Sequence, residues 1–391
     1  MNEWIDAGAA AERLGVKPAT LYAYVSRGVL RRRRADDGRR SLFSLAEVEQ
    51  LARRGRPRNP QPELVIESRV TTLGVDRPYY RGIDALELAR TATFESVAEW
   101  LWTGEPARAV EWAHDPEGVR AAIAAQRALP DGLLPIDRLQ VSTTVLGATD
   151  SLRYQLDAAS VAATGRRLIA GLVDSLPPLD RTHGELGVAR RLWERLCPAP
   201  PTPALLAALQ SALVLLADHE LAASTLAARV AASAKADPYA VVLTGLGVLG
   251  GPLHGGASYD AERLLAEVGG PGRAARVIAD RIRRGERIPG YGHSVYKNGD
   301  ARGALLMDLV EAAVPGHERL EAARALTAEV RRRRLPEPNI DFALACLTAV
   351  SGMIPGAGEA IFAVARTAGW LAHAMEEYGK GTLLRLRASS R

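Results

Sequence analysis

Gly251-Pro252-Leu253-His254-Gly255-Gly256-Ala257 is the stretch of this 391-residue sequence that decides the fold. It places one imidazole among residues with little or no side chain, so a substrate can approach the ring closely. The alternative is a loop at the start of a helix, in which an isolated His only bonds the backbone. Support from other loops is therefore needed before the stretch predicts a site.

A second loop repeats the design. Residues 288–297 read Ile-Pro-Gly-Tyr-Gly-His-Ser-Val-Tyr-Lys, which sets His293 between small residues and adds two nearby cations, Lys297 and Arg302. Glycines on both sides again leave the imidazole accessible. The same design therefore appears twice, and each loop exposes one imidazole.

A third loop supplies a carboxylate. Residues 338–342, Pro-Asn-Ile-Asp-Phe, place Asp341 at the start of an apolar helix, where burial makes a carboxylate a stronger base. The alternative is that Asp341 or Asn339 serves only as the helix N-cap. A metal site is a weaker interpretation, because no local HxxxH or CxxC pair anchors an ion.

Together these loops resemble the citrate synthase family, whose motifs run close to GPLHGGA, GFGHRVYK-x-x-DPR and PNVDF in the same order. Two flanking stretches add to the resemblance: residues 78–83 with 102–106 are similar to the family's YRGY segment and following helix, and residues 219–225 to its HE-x-NAST stretch. The resemblance covers about residues 64–391 and is weak between 107 and 200.

This resemblance implies a mainly α, two-domain body. Residues 64–255 with 353–391 would form the large domain, and residues 256–352 the small domain. The sequence pattern agrees, because apolar residues recur with the helical period of 3.6 residues along most of the body. The segments with this period are 84–102, 155–174, 203–234, 257–284, 301–313, 317–334, 339–353 and 356–378.

The implied reaction is the condensation of acetyl-CoA, or another short acyl-CoA such as propionyl-CoA, with oxaloacetate and release of CoA. By resemblance, Asp341 takes the methyl proton, His254 hydrogen-bonds the thioester oxygen and His293 polarises the carbonyl of the oxo acid. A weakly acidic methyl group needs both a base and a group that stabilises the developing charge. The acyl-CoA is a substrate, and the resemblance implies no cofactor and no metal ion.

Guanidinium groups are natural partners for the two carboxylates of the oxo acid. The resemblance implies four ligands for it: His219, Arg302, Arg366 and Arg385. Arg385 would enter the site of the partner subunit in a homodimer. Lys297 stands where the family keeps a cation near the CoA phosphates. Four further arginines either assist there or form a solvated helix face, which we favour: Arg281, Arg283, Arg284 and Arg287.

Three positions depart from the family motifs. Asp300-Ala301-Arg302 replaces DPR, Arg385-Leu386 replaces RP, and residues 341–345, Asp-Phe-Ala-Leu-Ala, replace DFYSG. The last departure follows the predicted base directly. We therefore expect an acyl pocket of altered shape, which admits another acyl group or lowers activity.

Residues 1–54 predict a small separate domain. Two helices, Ala7–Leu14 and Pro18–Ser26, precede a basic hairpin at Arg31–Arg40, and Ser44 can cap a third helix. The order resembles the winged helix-turn-helix of MerR-like and excisionase-like DNA-binding domains. Its implied DNA contacts are Lys17, Thr20, Tyr22 and Arg27 in the helix-turn-helix, with Arg31 and Arg33 in the wing. The alternative is a docking domain that no longer binds DNA.

Charge follows the same division. Residues 1–58 hold 13 Lys or Arg against 7 Asp or Glu, so the net charge of +5 leaves −1 for the remainder. A basic module suggests a polyanionic partner or a solvated surface. The proline-rich stretch RRGRPRNPQP predicts a linker at residues 55–63. A metabolite-sensing transcription regulator with a citrate synthase-like ligand domain is therefore the second functional interpretation.

Several classes of protein are excluded. Only two cysteines occur, Cys197 and Cys346, so a disulfide scaffold is not available. No apolar run approaches the ~20 residues of a membrane span, and Glu3 and Asp6 do not fit a signal peptide. We expect a cytoplasmic protein.

Gly245, Gly247 and Gly250 spell GxGxxG, but helical neighbours favour close helix packing over a dinucleotide fold.

Overall fold

The computed structural model describes residues 4–14, 16, 18–26, 28–35, 40–55, 66–105, 112–179, 187–297 and 299–385. The chain divides into two compact units, Met1–Glu67 and Ser68–Arg391, and each unit has its own hydrophobic core. The predicted linker at 55–63 lies outside the described residues except for Gly55, which ends a helix. The predicted division of the body into a large and a small domain stays a prediction.

The N-terminal unit is a three-stranded antiparallel sheet with three helices. Its strands are β1 (Trp4–Asp6), β2 (Arg32–Arg34) and β3 (Ser41–Ser44), in the order β1-β3-β2, and its helices are α1 (Ala7–Leu14), α2 (Pro18–Ser26) and α3 (Leu45–Gly55). Leu21 and Phe43 are completely buried at its centre. Both predicted helices and the antiparallel strands of the basic hairpin are confirmed, while residues 36–39 of the hairpin lie outside the described residues. Strand β1 was not predicted, because three residues are too few to show an alternating pattern.

The second unit opens with a small antiparallel sheet and is otherwise helical. The sheet contains β4 (Thr71–Leu73), β5 (Pro78–Tyr80) and β6 (Ile83–Asp84). The helices are α4 (Ala85–Thr91), α5 (Phe94–Thr103), α6 (Pro116–Gln126), α7 (Pro135–Thr149), α8 (Ala158–Ser175), α9 (Val188–Leu196), α10 (Pro203–Leu216), α11 (Ala223–Ser233), α12 (Pro238–Leu249), α13 (Gly256–Val268), α14 (Ala274–Arg283), α15 (Ala301–Ala313), α16 (Glu318–Arg332), α17 (Ile340–Ser351) and α18 (Ala357–Lys380). The expected mainly α fold is confirmed.

Helix α18 runs through the core of this unit. Of its 24 residues, 20 are buried, and it packs against α5, α8, α10, α11, α12 and α13. Small residues allow α12 and α18 to pack closely: a Cβ on Gly245 of α12 would lie 2.6 Å from the ring of Trp370 on α18. A helix that is apolar around its whole circumference is a core helix. Its position carries Phe362 and Arg366 to the wall of a cleft.

The GxGxxG stretch lies in and just after α12, a helix, so close helix packing is confirmed for Gly245. Gly247 has no neighbouring atom within 4 Å of an added Cβ, and close packing does not explain it.

Among the described residues, no helix combines the length and apolarity needed to cross a membrane. Cys197 and Cys346 are both buried free thiols.

Candidate active site

A cleft of about 1410 Å³ in the second unit brings the three predicted loops together. The segment between α10 and α11, the segment between α12 and α13, and the loop before α15 each contribute one histidine. The first turn of α17 and the middle of α18 complete the wall. Six of the predicted residues line this cleft: His219, His254, His293, Arg302, Asp341 and Arg366.

The imidazole of His254 is held by a relay from α18. Its Nε2 lies 2.7 Å from the hydroxyl of Ser224, and that oxygen accepts from the indole N–H of Trp370 at 3.2 Å. Because the indole can only donate, the Ser224 hydroxyl proton is available for Nε2, and we assign the proton of the neutral ring to Nδ1. Burial, with Arg366 nearby, lowers the pKa of His254 to about 4. The ring is therefore a neutral donor at pH 7.

Two backbone amides orient His293. Its Nδ1 accepts from the N–H groups of Val295 and Tyr296 at 3.0 and 3.1 Å, so the proton of the neutral ring lies on Nε2. Burial, with Arg302 nearby, lowers the pKa of His293 to about 4. Nε2 is 3.4 Å from Nη2 of Arg302. Two donors thus converge on one point, which suits a carbonyl or carboxylate oxygen.

His219 completes a histidine cluster. Its side chain is almost fully buried, its Nε2 lies 3.0 Å from the hydroxyl of Tyr296, and its ring is 5.3 Å from that of His293. Burial is the main cause that lowers the pKa of His219 well below its usual value. The next residue, Glu220, has a φ of 52°, and its N–H donates to Asp218. This left-handed turn aims the His219 ring into the cleft.

Asp341 is not a helix cap. Asn339 caps α17, because its Oδ1 accepts from the N–H groups of Asp341 and Phe342. The Asp341 carboxylate is left to face the cleft, where Oδ1 accepts from the hydroxyl of Ser258 at 2.5 Å. Burial raises the pKa of Asp341 to about 6. A carboxylate of this kind is a stronger base than an exposed one and is still ionised at pH 7.

The altered segment after Asp341 lies behind the cleft. Ala343, Leu344 and Ala345 are completely buried in the core, and none of them lines the wall. These side chains therefore do not form the wall directly, and the expected change in the acyl pocket stays a prediction. The apolar part of the wall includes Ile340 and Phe362.

The two buried arginines differ in their partners. Arg302 donates to both carboxylate oxygens of Asp300, at 2.9 and 2.8 Å, which neutralises its charge. Arg366 uses only Nε, which donates to the carbonyl of Leu216 at 2.8 Å. Nη1 and Nη2 of Arg366 have no hydrogen-bond partner among the described residues, and burial lowers its pKa to about 10. A buried guanidinium with two open donors fits an incoming carboxylate.

Two predicted residues lie outside this cleft. Lys297 lines a separate pocket of about 170 Å³, and its Nζ is 3.4 Å from the carbonyl of His293. Arg385 is exposed, five residues beyond the end of α18. By contrast, three arginines at and after the end of α14 line the cleft: Arg281, Arg284 and Arg287. The expectation that they form only a solvated helix face is wrong for these three.

Sequence reasoning missed the partners of the catalytic candidates. Ser224, Ser258 and Trp370 are single residues on separate helices, and only the packing of α11, α13 and α18 brings them to the site. Ser224 stands within the His219–Thr225 stretch, which is the one signal that could have found it. Among the described residues, no group of three or more His, Cys, Asp or Glu side chains is placed to hold a metal ion.

The N-terminal unit uses its wing arginines in different ways. Arg31 donates to Glu47 through its backbone and its side chain, and Arg33 lies over the ring of Trp4 at 4.8 Å. Arg32 instead lies over the exposed ring of Tyr22 on α2. Thr20 is partly exposed. Two predicted contacts, Lys17 and Arg27, lie outside the described residues.

Two family models match the chain. The C-terminal domain of citrate synthase matches residues 61–387, and a helix-turn-helix domain matches residues 4–56. A 2-methylcitrate synthase of Mycobacterium tuberculosis is 32% identical over 326 residues, covering 78% of this chain and 82% of that protein. Citrate synthase 2 of Bacillus subtilis is 30% identical over 354 residues, covering 82% and 92%.

Solved structures agree with these relatives. The citrate synthase of Thermotoga maritima has a TM-score of 0.71 at 25% identity, covering 85% of this chain and 95% of that one. The enzyme of the archaeon Thermoplasma acidophilum, solved with carboxymethyl coenzyme A and oxaloacetate, has a TM-score of 0.70 at 23% identity, covering 83% and 93%. The latter likeness concerns the fold alone.

Proposed function

The chain belongs to the citrate synthase family, and on that premise we propose that it condenses a short acyl-CoA, acetyl-CoA or propionyl-CoA, with oxaloacetate and releases CoA. One observation carries the proposal. A base with a raised pKa, Asp341, shares a cleft with two neutral histidines whose ring protons are assigned to defined nitrogens. The chemistry requires this combination.

The first step is removal of a methyl proton from the acyl group. The carboxylate of Asp341 takes the proton, while Nδ1–H of His254 donates to the thioester oxygen on which negative charge develops. Because the pKa of His254 is about 4, the ring acts as a neutral hydrogen-bond donor. Its relay through Ser224 and Trp370 fixes the ring before the substrate arrives.

In the second step, the enol carbon forms a bond with the carbonyl carbon of oxaloacetate. Nε2–H of His293 gives its proton to the carbonyl oxygen, which becomes a hydroxyl group, and Arg302 beside it offsets the charge left on the ring. The proton that Asp341 took from the methyl group returns to His293 through solvent, which restores both side chains. Water then hydrolyses the thioester, releasing free CoA and the tricarboxylate. Hydrolysis of the thioester makes the overall reaction irreversible in practice.

We assign the carboxylates of the oxo acid to the buried cations of the cleft. Arg366 offers two open N–H donors, and Arg302 is held rigid by Asp300. His219 adds a neutral ring beside His293. Arg385, which lies outside its own cleft, is assigned to the site of the partner subunit.

The CoA phosphates are assigned to the arginines at the end of α14 together with the predicted Lys297. Arg281 and Arg284 line the cleft with Glu286 between them, and exposed Arg287 lines it further along. Phosphate oxygens are matched well by guanidinium donors. Lys297 lies in a neighbouring pocket, so its contribution is expected to be the smaller one.

A homodimer is proposed on the surface of α12. The sequence of this helix, Pro-Tyr-Ala-Val-Val-Leu-Thr-Gly-Leu-Gly-Val-Leu, contains no charged residue, although Leu243, Thr244 and Val248 are partly exposed and Gly247 is exposed. An apolar face of this kind is unfavourable in water and suits a second copy of the chain. Such a dimer would also give Arg385 a site to complete.

The N-terminal unit belongs to the helix-turn-helix family and is proposed to bind DNA. The observation that supports this is the joined surface of α2 and the wing, where Arg32 lies over the exposed Tyr22. A regulator without enzymatic activity is not favoured, because the body of the chain matches citrate and 2-methylcitrate synthases. We place the protein in the cytoplasm on the basis of its sequence.

Release of CoA thiol tests the function. The full-length chain is mixed with oxaloacetate and a panel of acetyl-, propionyl- and butyryl-CoA, and free thiol is followed with time. We expect thiol release that requires both substrates, with one acyl-CoA preferred. If none of the pairs releases thiol, the enzymatic function is wrong.

A further inference from the structure

The carboxylate of Glu262 connects two helices that carry different parts of the candidate site. Oε2 accepts from the backbone N–H of Gly356 at 2.8 Å, and Oε1 accepts from the N–H of Gly358 at 2.7 Å. Glu262 lies on α13, whereas these amides begin α18. Glu262 does not line the cleft, so it has no direct contact with a substrate there.

Helix α18 has no cap of its own. Its N-cap, Gly356, has a φ of 80° and no side chain to accept from the first amides. The carboxylate of Glu262 takes over this role from a neighbouring helix, and a negative charge is favourable at a helix N-terminus. A Cβ on Gly358 would lie 2.8 Å from Oε1 of Glu262. Glycine at 358 is therefore what permits the close approach.

Both helices lead directly to the reacting groups. Ser258 lies one turn before Glu262 on the same face of α13, and it donates to the base Asp341. On α18, Phe362 contacts the ring of His254, and Arg366 offers the open donors for the oxo acid. Glu262 is thus a hydrogen-bonded link between the side of the site that holds the base and the side that holds the oxo acid.

We propose that Glu262 is a positioning residue for the condensation, holding the helix of Ser258 and the helix of Arg366 in register. This inference rests on the proposed function. Bond formation needs the two reacting carbons in a narrow range of distance and direction, and a displacement of about 1 Å can lower the rate about 100-fold. The link acts on the alignment of the two substrates and leaves the contacts to each of them in place.

The charge state of Glu262 should make the activity depend on pH. Burial raises its pKa to about 7. The ionised form accepts strongly with both oxygens, whereas protonation turns one of them into a donor and a weak acceptor. The acidic group that interacts with it is Glu359 on α18, whose pKa is also raised to about 7 and which is in turn affected by Asp137 on α7 and Asp260 on α13. Asp341 on α17 is reached through Ser258. The link is therefore complete above pH 7 and is lost as the pH falls through that value.

The test compares Glu262→Gln with the wild-type protein at full length. At pH 8 we expect kcat to fall about tenfold with the KM of both substrates changed less than about twofold, because alignment and not binding is affected. In wild type, kcat should show an ionisation near pH 7 that the variant lacks. Gly358→Ala, which pushes the carboxylate away, should reproduce the loss, and the double variant should be no worse than either single change.

Asp115→Ala is the matched control. Asp115 also accepts from two amides at a helix start, those of Glu117 and Gly118, but α6 does not reach the cleft. It should lower the melting temperature without changing kcat or the pH profile. Should Glu262→Gln behave like this control, or keep the ionisation near pH 7, the proposal is overturned.

Failure of the proposed function would look different. The wild-type protein would then release no thiol, yet slow hydrogen exchange at the amides of Gly356 and Gly358 would still depend on Glu262. Active wild type with an unaltered Glu262→Gln variant would overturn the positioning role alone.

Discussion

The hydroxyl of Ser258 donates to Oδ1 of Asp341 over 2.5 Å, and this bond opposes the burial that raises the pKa of Asp341 to about 6. Since the base must be ionised, activity should rise as the pH increases through about 6. In Ser258→Ala the carboxylate loses a donor, so the midpoint of this rise should move to higher pH. A pH profile of kcat/KM for the acyl-CoA measures it, and an unchanged midpoint would count against Asp341 as the base.

Asp341→Asn should lower kcat by about 100- to 10,000-fold, because an amide cannot take the methyl proton. The melting temperature should stay the same or rise, since a buried acid is removed. Thiol release and thermal unfolding are measured on the same preparation. An active Asp341→Asn protein would contradict the mechanism.

Arg366→Met should weaken oxaloacetate binding without lowering the stability of the fold. The KM for oxaloacetate should rise about 10- to 100-fold, because two charge-assisted hydrogen bonds to a carboxylate are lost. The free energy of unfolding should be unchanged or larger, as a buried cation with open donors has been replaced by an apolar side chain. Saturation kinetics and urea denaturation test the two parts, and a marked loss of stability with an unaltered KM would refute the assignment.

Mixed dimers test Arg385. Asp341→Asn and Arg385→Ala should each have low activity as homodimers. If Arg385 completes the partner's site, a mixed dimer contains one site with both an intact Asp341 and an intact Arg385, so co-expression of differently tagged chains should restore activity. If Arg385 acts within its own chain, or in no site, mixing restores nothing.

Wing variants test DNA binding. Arg32→Ala combined with Arg34→Ala should weaken binding to the promoter DNA of its own gene and reduce the salt dependence, because cations that can reach phosphates are removed. Arg33→Ala is the matched control, since this side chain lies over Trp4 within the unit. Binding that is absent at low salt, or equally weakened by Arg33→Ala, would argue for a docking domain.

The helical segments were predictable where the apolar period was regular. The expected segment 301–313 agrees with α15, residue for residue, and 356–378 agrees with α18 to within two residues. The segment 203–234 contains two helices, because α10 ends at Leu216 and α11 begins at Ala223, with the His219 turn between them. The left-handed Glu220 that makes this turn leaves no mark on the apolar pattern.

The site was predictable only in part, for a related reason. His254, His293 and Asp341 stand in loops whose glycines and prolines mark them in the sequence. Glu262 and Ser258 occupy ordinary positions of an amphipathic helix, and their partners lie 83 or more residues away in the chain. Only tertiary packing pairs them. Lys297 was assigned from its motif, but the turn of its loop directs it to a neighbouring pocket.

The two hydrophobic cores have a consequence for the history of this gene. The buried core of the N-terminal unit is drawn from residues 10–48, and that of the second unit begins at Val70. A recombination breakpoint between them would cut through neither core. A lineage could therefore gain, lose or exchange the helix-turn-helix unit in one event that leaves both hydrophobic cores whole.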